Sequence, residues 1–179
     1  MKRKIFISIN IPGKVKKRLV QAVEKWKDLP VKWVKSDNFH VTLFFLGYIE
    51  DETTRKICDA TRKVAEKFEL FDIEFNEITL DSKENPKTIW LTGPHSEELM
   101  KLCEKIEKEL GIFSASKKSF RPHITLGRIR KHKWEVLENK PGIEEKIILP
   151  LSAETIDVMA SKFEEGSNEY AVIEACPLK

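Results

Sequence analysis

Ile5, Ile7 and Ile9 alternate with Phe6, Ser8 and Asn10, a period of two that predicts a strand, and Pro12-Gly13 then turns the chain into a helix. Leu19, Val20, Val23 and Trp26 form the apolar stripe of that helix, and Asp28-Leu29-Pro30 ends it. Residues 31–34 read as a short strand, Ser36-Asp37-Asn38 as a turn, and residues 40–46 as a strand closed by Gly47. A second helix is predicted over 51–68, with Ile57, Thr61, Val64 and Phe68 at helical spacing. Residues 71–80 and 88–92 read as paired strands across the polar turn 81–86. Ser96 caps a third helix with Glu97 and Glu98 in its first turn, Leu99, Leu102, Cys103, Ile106 and Leu110 inward, and Gly111 as its stop. A strand over 123–130, a polar loop through Pro141-Gly142, and strands over 146–149, 155–161 and 170–175 complete the chain.

This order is mixed rather than strictly alternating, which favours an α+β fold with antiparallel sheets over a doubly wound parallel one. Within it one short pattern occurs twice, as Phe39-His40-Val41-Thr42-Leu43 and as Pro122-His123-Ile124-Thr125-Leu126. In a strand, His and Thr two residues apart share a face while the flanking hydrophobes take the other. The two histidines are 83 residues apart, close to half the chain. The simplest arrangement is a bilobal, pseudo-twofold molecule with two antiparallel sheets lining a central cleft, helices outside, and one pattern strand from each lobe. Residues 1–179 then form a single domain of two lobes.

Two imidazoles and two hydroxyls in one cleft suit acid/base chemistry on a phosphate. One imidazole near its free pKa of about 6.5 can be neutral while the other is protonated, giving a base and an acid together. The threonine hydroxyls can donate to non-bridging phosphate oxygens. On ideal pleating Phe44 shares the face of His40 while Phe45 takes the other, and Gly127 shares the face of His123, leaving that side open. A zinc site is the competing chemistry, but neither copy of the pattern contains Asp, Glu or Cys, and a catalytic zinc normally takes three protein ligands. No cofactor is expected. His95, before a helix cap, and His132, among lysines, read as exposed residues, and Trp33, Trp90 and Trp134 as core residues or base-stacking surfaces.

Charge sharpens the choice of partner. The 179 residues are 41% hydrophobic, enough for a core, and 34% charged, against an average of about 25%. A net charge of +3 is too small to decide anything. From Lys117 to Lys133, however, Lys117, Lys118, Arg121, Arg128, Arg130, Lys131 and Lys133 meet no acidic residue, so the second pattern lies inside a cationic stretch that favours a phosphate ester or polyanion. Cys58, Cys103 and Cys176 are odd in number and widely spaced, as reduced thiols of a cytoplasmic protein would be. The N-terminal Met1-Lys2-Arg3-Lys4 and its short apolar run lack a cleavage site and read as a first strand rather than a signal peptide. No stretch approaches the roughly 20 apolar residues of a membrane span, and a monomer is expected.

With these residues in view the chain resembles the 2H phosphoesterase superfamily, specifically its RNA 2′,3′-cyclic phosphodiesterases, long called 2′-5′ RNA ligases. The resemblance runs nearly end to end, through residues 5–12, 31–34, 39–47 and 120–130. It implies a bilobal α+β fold and metal-independent opening of a terminal 2′,3′-cyclic phosphate to a 2′-phosphomonoester. It also implies that His40 is the proton donor, that His123 is the proton acceptor, and that Thr42 and Thr125 hold the phosphate. Arg128 becomes a phosphate contact, with Arg130 beside it, and Phe45 a base-stacking surface. Strict alternation puts Arg128 and Phe45 opposite their histidines, so this assignment requires a twist or bulge near the strand end, and Gly127 could supply one. Many relatives carry alanine where this chain has Gly127. The partner is RNA with a 2′,3′-cyclic phosphate end, or a small nucleotide. The alternatives from the same pocket are end recognition without turnover, 2′-5′ joining of RNA, and cleavage of 2′,5′-phosphodiesters.

Overall fold

A computed structural model describes residues 1–112, 121–162 and 169–179; Lys117, Lys118 and Phe120, named above, lie outside the described residues. The described residues form nine strands: β1 (Lys2–Asn10), β2 (Val31–Trp33), β3 (His40–Glu50), β4 (Phe71–Leu80), β5 (Thr88–Thr92), β6 (His123–Ile129), β7 (Glu144–Ala153), β8 (Thr155–Ser161) and β9 (Tyr170–Pro177). Their helices are α1 (Gly13–Val23), α2 (Asp51–Ala65), α3 (Glu97–Leu110) and the short α4 (Lys131–Glu135). The fold is α+β.

The strand pairings are antiparallel, in the order β7-β4-β5-β6-β3-β1-β8-β9, with β2 also paired to β6. The two expected sheets are the halves of this array, β9-β8-β1-β3 and β7-β4-β5-β6, each ending on a pattern strand. Among the described residues they join at one pair, Val41 with Ile124, so hydrogen bonding runs unbroken through nine strands. A strand–helix–pattern strand unit recurs, as β1-α1-β3 and β5-α3-β6, because each pattern strand pairs with the strand that precedes its helix.

Alternation decides which face is core. Ile5, Ile7, Ile9, Val41, Ile89, Leu91 and Ile124 are fully buried, in one cluster with Ile57 and Val64 of α2 and Leu99, Leu102 and Ile106 of α3. Full burial of each such side chain contributes about 1.5–3 kcal/mol. The alternate positions Thr88, Trp90, Thr92, His123 and Thr125 are only half-buried. Caps hold α3 as the sequence predicts: the Ser96 Oγ accepts from the Leu99 N–H at 3.2 Å, and Gly111 adopts φ 67°. Thr61 enters the core of α2 because its hydroxyl donates to the Ile57 carbonyl at 2.8 Å.

Several expected boundaries move. Gly47 does not close β3. It sits at φ +79° beside a register shift against β1, and the strand runs on to Glu50. Val20, expected in the stripe of α1, is 42% exposed, since it lies about 100° around the helix from buried Leu19; Val15, Ala22, Val23 and Trp26 take the inward side. α4 occupies part of the stretch read as loop, anchored by Trp134, which is 4% exposed and therefore core rather than a base-stacking surface. β7 extends through Pro150 because it is an edge strand, where a missing N–H breaks no ladder. Cys58, Cys103 and Cys176 are free and buried, and burial pushes the Cys103 thiol up to about 12. No helix among the described residues is long and apolar enough to cross a membrane.

Candidate active site

The strand register decides what faces the cleft. Against β1, Asn10 pairs with His40, Ser8 with Thr42 and Phe6 with Phe45, so β3 carries one extra residue, Leu43, between Thr42 and the Phe44–Ile7 pair. Against β5, Thr92 pairs with His123, Trp90 with Thr125, Ile89 with Gly127 and Thr88 with Arg128, leaving Leu126 as the extra residue of β6. Each bulge falls three residues after its histidine, and each bulged leucine is buried. The bulges restore Phe45 and Arg128 to the faces of His40 and His123, which strict alternation denies them.

The bulged residue of β6 is thus Leu126 and not Gly127, and Gly127 is turned away from the histidine face. Its missing side chain has another use: a Cβ there would come within 2.5 Å of Val31 Cγ1 and 3.0 Å of Trp33 Cε3, so the glycine lets β2 pack beside β6.

Both histidines, both threonines, Phe45 and Arg128 line one cavity of about 400 Å³. Arg130 does not join them. It is exposed and N-caps α4, where its carbonyl accepts from the Trp134 N–H at 2.9 Å and its own N–H donates to the Pro30 carbonyl. The strand has already turned away at that point. His95 and His132 are exposed and off the cavity, in line with the sequence reading.

The imidazoles are held alike. His40 Nδ1 lies 2.6 Å from the Asn38 carbonyl, which can only accept, so Nδ1 carries the hydrogen and Nε2 is left to exchange a proton. His123 has the same kind of backbone bond, to Arg121, again two residues upstream. Rings fix the planes: His40 lies against Phe6 at 5.1 Å and edge-on to Tyr170 at 5.4 Å, while His123 stacks on Trp90 at 4.4 Å.

Burial lowers the pKa of both histidines from the ordinary 6.5. At His40 the Asn38 bond opposes burial, whereas the charges of His123, Lys16 and Arg128 reinforce it; at His123 the Arg121 bond opposes it. Both imidazoles are therefore biased toward neutrality in the empty cavity.

Sequence reasoning did not single out Lys32, Lys35, Thr88 or Tyr170, which also line the cavity. Trp90 carried a signal, since Thr88, Trp90 and Thr92 alternate with buried Ile89 and Leu91. Tyr170 carried none: it begins β9 and reaches His40 only through the β8–β9 and β8–β1 pairings. Among the described residues the lining holds lysines and an arginine and no carboxylate or thiol. Nor do any three described His, Cys, Asp or Glu side chains group closely enough to hold a metal ion.

A family model described as LigT-like phosphoesterase matches residues 9–91. A Thermotoga maritima protein named RNA 2′,3′-cyclic phosphodiesterase is 32% identical over 138 residues, which cover 74% of each chain. One of the same name from Bacillus subtilis is 25% identical over 162 residues, 88% of this chain and 84% of that one. Among solved structures, TT0787 of Thermus thermophilus superposes with a TM-score of 0.81 at 22% identity, over 99% of this chain and 98% of its own. Escherichia coli LigT complexed with 3′-AMP gives 0.75 at 21%, over 99% of both chains.

Proposed function

Because the chain belongs to the LigT-like phosphoesterases of the 2H superfamily, we propose that it hydrolyses RNA 2′,3′-cyclic phosphate ends to 2′-phosphomonoesters by two-histidine catalysis without a metal. The observation that carries this reading is the convergence of His40, Thr42, His123 and Thr125 on one cavity whose described charged lining is all cationic. The relatives' names supply the substrate class.

Neutral His123 takes a proton from water through Nε2 as the water oxygen attacks phosphorus. The P–O3′ bond breaks opposite the incoming oxygen, and protonated His40 gives its Nε2 proton to the departing 3′ oxygen. The phosphate stays on O2′. Thr42 and Thr125 donate to the two non-bridging oxygens, where charge accumulates. Two imidazoles without a carboxylate or thiol in the described lining fall short of the three protein ligands of a catalytic zinc, which supports the metal-free route. Strands from both ends of the chain wall the cavity, so residues 1–179 act as one catalytic domain of two lobes.

Incubation with an oligonucleotide ending in 2′,3′-cyclic phosphate, in excess EDTA, is expected to give only the 2′-phosphate. A 3′-phosphate product, or activity lost to EDTA and recovered with zinc, overturns the reading.

The lowered histidine pKa values set the pH dependence. Turnover needs one protonated and one neutral imidazole, a state most populated between the two values, and both lie below 6.5. We expect kcat/KM to peak on the acid side of 6.5 and to fall about tenfold per pH unit on the alkaline limb. A bound phosphodiester anion favours the imidazolium, so the alkaline limb of kcat lies at higher pH than that of kcat/KM. Rate profiles for the two parameters check this, and coincident limbs would contradict it.

A further inference from the structure

The polar side chains buried among the described residues are Ser8, Thr54, Thr61 and Asp157. Thr54 and Thr61 give their hydroxyls to the carbonyls four residues upstream. Ser8 and Asp157 have no such use, and the strand register brings them together. Asp157 of β8 stands directly opposite Ser8 of β1, and Ser8 on its other side stands opposite Thr42 of β3. A row of three polar side chains thus crosses the sheet on the histidine face, from a carboxyl 5% exposed, through a hydroxyl 1% exposed, to a hydroxyl that lines the cavity. Opposed Cβ atoms of an antiparallel pair are about 5 Å apart, a span that a serine–threonine hydrogen bond bridges, and Ser8 has a single side-chain dihedral to turn for it.

The row ends on a group that the chemistry above does not use. Oδ1 of Asp157 is buried without a hydrogen-bond partner, a costly setting for a carboxylate, and burial pushes the pKa of the group up to about 6. Lys16 of α1 opposes that shift. On the neighbouring strands Asp157 faces Ser8 and Ala175, neither of them charged. The Cys176 thiol and Glu174, which is paired with Arg62 of α2, stand opposite Ile156 and Val158, on the other face of β8. His40 stands against Asn10, two residues further along β1.

A protonated carboxyl can donate, whereas an ionised one only accepts. In the acid form the Asp157 O–H donates to Ser8 Oγ and the Ser8 O–H donates to Thr42 Oγ, which leaves the Thr42 O–H for the phosphate, each bond strengthening the next. In the ionised form Ser8 turns to donate to the carboxylate, and its oxygen then competes with the phosphate for the Thr42 hydrogen.

We propose that Asp157 and Ser8 are positioning residues for Thr42: the neutral acid, acting through Ser8, aims the Thr42 hydroxyl at the phosphate, and ionisation withdraws it. This role rests on the phosphate contact proposed above for Thr42.

Asp157→Asn keeps the shape, relieves a buried carboxylate, and donates at every pH, so it holds the row in its aiming form. The ratio of its kcat to that of wild type on a cyclic-phosphate-ended RNA is expected to be near one at about pH 5 and to rise about two- to tenfold by about pH 7.5, the net worth of one hydrogen bond. KM moves less. The histidines are common to both proteins, so their titration cancels in the ratio. Ser8→Ala cuts the row and is expected to abolish the rise, and so is Thr42→Val, which leaves no hydroxyl to aim. A ratio that stays flat with pH, or a rise that persists in the Ser8→Ala or Thr42→Val background, overturns the role. Wild type that turns over no cyclic phosphate overturns the catalytic reading instead, and binding of 2′-AMP then decides the role. By NMR titration Asp157→Asn is expected to bind 2′-AMP about two- to tenfold more tightly than wild type at about pH 7.5 and equally at about pH 5. Equal affinity at both overturns it.

Discussion

His40→Ala and His123→Ala are each expected to lower kcat on a cyclic-phosphate-ended RNA by about 10²–10⁴-fold, the usual contribution of a positioned acid or base. No carboxylate or thiol among the described residues lines the cavity to take over either proton transfer. KM should change little, because the phosphate is held by Thr42, Thr125 and the cations rather than by the imidazoles. The double variant should fall barely below the single ones, since a base without its acid leaves the same unassisted step. Each substitution also removes a ring contact, to Phe6 and Tyr170 at His40 and to Trp90 at His123, so a thermal melt must accompany the kinetics. With the fold intact, a single variant that retains more than about a tenth of wild-type kcat removes its histidine from the mechanism.

How far the sequence carried this site depends on what kind of information each residue needed. His40, Thr42, His123 and Thr125 were legible because their placement needs only local pleating, and the same framing recurs in both halves. Phe45 and Arg128 needed a change of register. A bulge alters which residue pairs with which and leaves composition untouched, so nothing at Leu43 or Leu126 marks it. The adjacent aromatics Phe44 and Phe45 made matters worse, since either could have been the inward one. Gly127 drew attention as the one permissive residue nearby, but its cause lies far back in the chain at Trp33, on a strand whose docking no local pattern predicts.

The same logic covers the other differences. Lys32 could not be recognised as a site residue until β2 was known to pair with β6, and Tyr170 reaches His40 across two intervening strands. The five residues of α4 sit in a polar stretch with one core residue, Trp134, too short to show a period. Arg130 was misjudged by the reverse route: nearness in sequence to Arg128 suggested nearness in the cleft, but the strand ends at Ile129 and Arg130 opens the next turn.

Thr42 and Thr125 give the second large effect, and its arithmetic differs from that of the histidines. Three buried or half-buried threonines away from the cavity spend their hydroxyls on backbone: Thr54 on the Glu50 carbonyl, Thr61 on Ile57 and Thr92 on Pro122. Among the described residues the hydroxyls of Thr42 and Thr125 have no protein partner, although both share the histidine face and line the cavity. Each is a donor held ready on a strand at no cost in reorganisation, which is the arrangement that stabilises charge developing on phosphate oxygens. Thr42→Val and Thr125→Val keep the branched shape that the strand accommodates and remove only the donor. Each is expected to lower kcat by about 10²–10³-fold, with a smaller rise in KM, and the serine variants to recover most of the loss. The two hydroxyls come from opposite lobes and meet different oxygens, so their losses should add as free energies, and the double variant should approach the product of the single effects. A Thr42→Val or Thr125→Val enzyme with wild-type kcat would assign that hydroxyl to packing alone, whereas a double variant no worse than impaired single ones would make the two hydroxyls one coupled unit rather than independent donors.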